Sequence, residues 1–162
     1  MKTIVAGLAV CLMLSVSMTA CVNAQDSLNA VAGNFQLQDL SGKTYELSAY
    51  RNKQPVLLFF WTTWCPFCLQ SLQRLNRDYV NLEKDGIALL GINVGERRSS
   101  VERLVRNYNI VFKILLDEGS IAANTYRLLG VPTFVLIDKK GVIRYKGNSY
   151  PGSELKQISD QP

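Results

Sequence analysis

The sequence predicts an α/β fold: a central mixed, mostly parallel sheet flanked by helices, with a β extension at its start and an antiparallel hairpin at its end. Three features carry this. Val56–Trp61 is a continuous apolar run of strand length and Ile87–Val94 reads as a second buried strand, apolar but for Gly91 and Asn93, the pattern of strands covered on both faces. Between them Leu69, Leu72, Leu75, Tyr79 and Leu82 recur at helical spacing, the signature of an amphipathic helix. Near the end, Thr133–Ile137 and Val142–Lys146 flank Lys139-Lys140-Gly141, a hairpin turn signal.

The remaining elements follow in chain order. Phe35, Leu37 and Leu40 lead into the turn Ser41-Gly42-Lys43. Pro55 opens the first apolar run, and Asp85-Gly86 ends the helix after it. Ser99 with Glu102 reads as a capping box for a helix through about Asn107. Lys113–Leu116 fits a short strand, and Ile121–Leu129 a third helix stopped by Gly130. A short last helix is expected after Pro151. No internal repeat interrupts this order.

The length of 162 residues suits one domain behind an export segment, and 48% apolar residues supply a core for it. Residues 1–20 read as a signal peptide, 21–32 as a tether and 33–162 as the domain. The net charge of +5 is modest and its basic residues are scattered, which argues against a nucleic-acid surface. The chain has no histidine. That removes imidazole metal sites, His general bases and Cys–His dyads.

Lys2 precedes an apolar stretch from Ile4 to Met18, too short to cross a membrane comfortably. Two processing routes compete. Met18-Thr19-Ala20-Cys21 resembles a bacterial lipobox, which would lipidate Cys21 and tether the domain to a membrane. Val22-Asn23-Ala24 offers ordinary cleavage before Gln25 instead. By either route Cys11 is lost, and the folded part keeps Cys65 and Cys68 alone. Such a close pair makes a poor structural staple. In an oxidising compartment it points to catalysis.

Cys65-Pro66-Phe67-Cys68 lies between a buried strand and a helix. A cysteine at a helix N-terminus meets unpaired N–H groups and the positive end of the macrodipole, which favour thiolate. Cys65 receives the larger effect, and Pro66 loses no intrahelical bond in the first turn. A zinc site would need about four ligands where this motif supplies two, so no metal is expected. Haem attachment needs a histidine where Leu69 stands. Thr62 suggests a thiol-peroxidase site, but the proline of that pattern is replaced by Leu58. Buried structural thiols are a further alternative. Trp64 and Phe67 flank the thiols and are expected to form an apolar collar, whereas Trp61 belongs to the core strand.

Phe60-Trp61-Thr62-Thr63-Trp64-Cys65-Pro66-Phe67-Cys68 resembles the active-site segment of thioredoxin-like proteins. Gly91-Ile92-Asn93-Val94-Gly95-Glu96, Gly130-Val131-Pro132-Thr133-Phe134 and the lead-in from Asn34 through Tyr50 are similar to the TlpA/ResA-like exported branch. The resemblance spans roughly residues 33–150. It implies a thioredoxin fold, a cis Pro132, and substrate contacts through Val131 and Pro132. It also implies thiol–disulfide exchange in the bacterial periplasm or cell envelope, with Cys65 attacking and Cys68 resolving. No cofactor beyond the Cys65–Cys68 disulfide is implied. The partners implied are exported protein thiols and disulfides, with a membrane thiol reductant or an oxidase resetting the pair. A role in cytochrome c maturation and a monomeric state complete the expectation. A non-catalytic binding module is the rival from another class.

Two positions depart from the family. Phe59 stands where many thioredoxins have a buried Asp, and Ser71 where the exported branch often has Glu. Both habitual proton acceptors for Cys68 are therefore missing. Glu96 is the remaining candidate acceptor, because it follows a parallel strand ending on the site's side. A charged residue after Gly95 is expected to be mainly solvated and to contribute little.

Overall fold

A computed structural model describes residues 28–159. The expected signal segment, Cys11 and Cys21 lie outside the described residues. The chain runs β1 Gln36–Asp39, β2 Thr44–Glu46, β3 Val56–Trp61, α1 Pro66–Lys84, β4 Ala88–Val94, α2 Arg98–Asn107, β5 Lys113–Asp117, α3 Ile121–Thr125, β6 Thr133–Ile137, β7 Ile143–Gly147 and α4 Gly152–Ser159. One sheet holds all seven strands in the order β2-β1-β5-β4-β3-β6-β7.

The centre of the sheet follows from side-chain alternation along β3. Leu57, Phe59 and Trp61 pack on one face with Leu72, Leu75 and Leu82 of α1, Val101 of α2, and Leu155 and Ile158 of α4. Val56, Leu58 and Phe60 pack on the other face with Ala122 of α3, Tyr126 and the N-terminal Phe35 and Leu37. Every β3 side chain is buried, each worth about 1.5–3 kcal/mol for a large apolar group. A strand held from both sides is a rigid platform for the loop that follows it. That loop carries the cysteines.

Four expectations need correction. The sheet is mixed, but parallel pairing is confined to β3–β4 and β4–β5, whereas β1–β2, β1–β5, β3–β6 and β6–β7 are antiparallel. The extension and the terminal hairpin, both antiparallel, outweigh the parallel centre. The tether does not run to residue 32. Asn29 and Ala32 donate backbone bonds to Ile143 and Gly141, and Val31 bridges Val142.

Ser99 and Glu102 form no capping box, because α2 begins two residues earlier than that pattern requires and Arg97 is its cap. A tertiary acceptor takes over: Glu118 Oε1 receives the Arg98 N–H at 3.2 Å. The same Arg98 donates to the Asp39 and Leu40 carbonyls, fastening α2 to the N-terminal extension. Finally, α3 stops at Thr125 rather than Leu129. Buried Asp117 caps its start through the Ala122 and Ala123 N–H groups. At its end Tyr126 is drawn into the core, its hydroxyl donating to the Gly33 carbonyl at 2.9 Å. Arg127 then adopts a left-handed φ of 43°, which turns the chain out of the helix.

Candidate active site

Cys65 is the N-cap of α1, with extended backbone angles, and Pro66 is the first helical residue. The Cys68 N–H donates to Cys65 Sγ at 3.2 Å. The sulfur thus occupies the place of a capping oxygen, where an orphan helix N–H and the macrodipole both stabilise negative charge. The two cysteines form a disulfide, with Cα atoms 5.2 Å apart. Cys68 is fully buried and Cys65 retains 4% exposure. Cys65 is thus less open than expected of an attacking thiol, but it remains the sulfur nearer solvent.

The Val131–Pro132 peptide is cis. Cys65 Sγ lies 3.7 Å from the Val131 carbonyl oxygen, so two segments 66 residues apart meet at the sulfur. The loop is held from both sides. Thr133 Oγ1 donates to the Gly130 carbonyl at 2.7 Å, and Asn148 Nδ2 to the Pro132 carbonyl at 2.7 Å. Trp64 is 72% and Phe67 69% exposed, while Trp61 is fully buried, so only Trp61 serves the core. Leu129, expected as the last residue of a helix, is instead fully exposed one residue before Gly130. It adds a third large apolar side chain to the segments bearing the site.

Glu96 is not simply solvated. Its Oε2 accepts the Thr63 N–H and the Asn93 side-chain amide, each at 2.7 Å, and its Oε1 accepts the Thr63 hydroxyl at 2.5 Å. Thr63 lies two residues before Cys65, and Asn93 is fully buried at the end of β4. The carboxylate therefore clasps the loop before Cys65 to β4, and three donors already occupy it. Thr63 and Asn93 gave no sequence signal of their own. Their link to Glu96 exists only because β3 and β4 pair in parallel, Trp61 opposite Asn93.

The AhpC/TSA family model matches residues 28–146. The thiol–disulfide oxidoreductase ResA of Geobacillus kaustophilus is 36% identical over 118 residues, 73% of this chain and 67% of that protein. The chain belongs to the AhpC/TSA family. Within that family it is a thiol–disulfide oxidoreductase of thioredoxin fold, similar to ResA. ResA of Bacillus subtilis is 32% identical over 112 residues, 69% of this chain and 62% of that protein. The fold is shared with StoA from Bacillus subtilis at a TM-score of 0.67, with 23% identity, 79% of this chain and 97% of that one covered. The thioredoxin domain of a Bacteroides vulgatus thiol–disulfide oxidoreductase gives 0.72, with 21% identity and coverages of 82% and 98%.

At the two positions where this AhpC/TSA family member departs from thioredoxin habit, the substitutes are fully committed. Phe59 is buried against Phe134 at a centroid distance of 4.8 Å. Ser71 Oγ donates back to the Phe67 carbonyl at 3.0 Å. Neither supplies a carboxylate.

In the reduced protein, Cys65 should be alkylated at neutral pH well before Cys68, with an apparent pKa below the free value of about 8.5. Mass mapping of iodoacetamide adducts across pH 5–9 checks this. Modification of Cys68 first would exchange the two roles.

Proposed function

We propose that this oxidoreductase works outside the cytoplasm as a reductase of disulfides in exported proteins, including those prepared for cytochrome c maturation. The supporting observation is the asymmetry of the pair: Cys65 caps the helix beside the cis-proline loop while Cys68 is sealed beneath it. In the reduced protein, Cys65 thiolate attacks one sulfur of a target disulfide. A mixed disulfide forms, and the other target sulfur leaves as thiolate and takes a proton. Cys68 then loses its proton and attacks Cys65 Sγ, expelling the second target sulfur. Two electrons pass from the dithiol to the target, leaving the Cys65–Cys68 disulfide. A membrane thiol reductant resets it, and no cofactor enters.

Trp64, Pro66, Phe67, Val131 and Pro132 are the proposed substrate contacts. Cys21 is the proposed lipid attachment, which would hold a monomeric domain at the envelope membrane. The rival readings fit less well. A non-catalytic module has no need of a capped, disulfide-forming pair. For a peroxidase, Leu58 stands in place of the proline and packs on the sheet face opposite the cysteines.

The direction is tested by the reduction potential of the pair, equilibrated against glutathione. A value near thioredoxin's, about −270 mV, is expected, whereas one near −120 mV would make the protein an oxidant. Mass analysis of the mature N-terminus should find diacylglycerol on Cys21; a chain starting at Gln25 overturns the anchor.

A further inference from the structure

Beside the cysteines lies a groove of about 510 Å³ between the first turns of α1 and the segment joining β7 to α4. Phe67 and Pro132 form the end nearest Cys65, and Gln70, Ser71, Arg74 and Tyr150 continue it along the helix. Phe67, Ser71 and Arg74 follow at helical spacing, so they share one face of α1. Among the lining residues Arg74 carries the sole formal charge. The family's customary glutamate would have stood at Ser71, which is neutral here.

Arg74 is held in place rather than waving in solvent. Its guanidinium stacks 3.9 Å from the Tyr150 ring centroid, a cation–π geometry. Its Nε is 3.6 Å from Asp78 Oδ2, one turn further from the site. Burial and the nearby Asp78 carboxylate push the Tyr150 hydroxyl up to about 12, so the ring it stacks on stays neutral at working pH. The Asp78 contact is long and runs through Nε. The Nη groups make no hydrogen bond among the described residues, and the side chain keeps 53% exposure. A planar fork of donors held on an aromatic face suits a carboxylate.

We infer that this groove is a subsite for an acidic side chain of the target protein, read by Arg74, so that the oxidoreductase prefers disulfides flanked by Glu or Asp. The inference rests on the reductase reading and names the substrate class of the same site. Arg74 follows Cys65 by nine residues, which a rise of 1.5 Å per residue places roughly 13 Å along the helix. An extended target spans that distance in about four residues. The acidic side chain therefore belongs some two to four residues from the attacked cysteine, allowing for the reach of both side chains.

The test is single-turnover reduction of cyclic disulfide peptides that differ only in Glu, Gln or Lys at each of those positions. The full-length protein, pre-reduced, is the reagent. At one position the wild type should reach half-saturation at roughly three- to fivefold lower concentration with Glu than with Gln, as expected of a partly exposed ion pair. Lys should fall on the other side of Gln, with limiting rates alike. Arg74→Gln should flatten the series, and Arg74→Glu should invert it. An unchanged order in Arg74→Glu, or equal half-saturation for all peptides in the wild type, overturns the subsite alone. Failure of the wild type to reduce any of the peptides overturns the reductase reading as well.

Discussion

Cys68→Ser should accumulate exported proteins as mixed disulfides on Cys65, and Cys65→Ser should lower disulfide exchange by at least about a thousandfold. The asymmetry follows from geometry. Cys65 Sγ receives a helix N–H and lies beside the Val131 carbonyl, where a target backbone can align. Cys68 has no exposure at all, so it meets a target only after Cys65 has brought the sulfur in. With serine at position 68 the mixed disulfide has no internal route to resolution. A non-reducing gel of envelope proteins, probed for the variant, shows the adducts directly. Adducts on Cys65→Ser but none on Cys68→Ser would reverse the mechanism.

The second large effect concerns Glu96, and it should appear in stability rather than in proton transfer. Glu96→Gln replaces an acceptor of three donors by a group with one acceptor oxygen and an amide that must itself donate. At least one of Thr63 N–H, Thr63 Oγ1 and Asn93 Nδ2 then loses its partner. Leaving a buried or half-buried donor unpaired costs about 1–3 kcal/mol, read as a lower denaturation midpoint with an unchanged slope. For chemistry, the expectation is smaller. A carboxylate already holding three donors is badly placed to take the Cys68 proton, so water or the departing target thiolate should receive it.

The pH profile of target reduction should therefore keep its thiol inflections in Glu96→Gln, with rates within about threefold. Losing a positioned general base costs about a hundredfold or more. A hundredfold loss confined to resolution by Cys68, with inflections shifted, would make Glu96 catalytic. Thr63→Val is the companion variant. It removes only the hydroxyl donor and should reproduce a fraction of the stability loss with no change in the profile.

The core strand and the disulfide-forming pair were legible because each announces itself locally. An unbroken apolar run such as Val56–Trp61 has few ways to be satisfied except between two layers. A CxxC at a strand-to-helix junction carries its electrostatic reason within four residues. The misreadings occurred where a distant partner replaced a local one. Ser99 and Glu102 have a capping pattern, but Glu118 reaches the α2 terminus from another loop. Leu128 and Leu129 extend a helical periodicity, but burial of Tyr126 and the turn at Arg127 stop the helix and leave Leu129 in solvent. Glu96 offered no local clue to its role, since its donors come from β4 and from a loop 33 residues earlier.

Sequence alone thus determined the layered α/β plan and the place of the disulfide-forming pair Cys65–Cys68 at a strand-to-helix junction. These depend on hydrophobic period and on backbone charge at a helix end, both written into short stretches of chain. Tertiary structure decided what surrounds the sulfurs: the Val131 carbonyl beside Cys65, the Glu96 clasp on Thr63 and Asn93, and the Arg74 fork stacked on Tyr150. Each joins residues that become neighbours only once strand pairing and helix packing bring them together. No local preference of the chain specifies such a meeting.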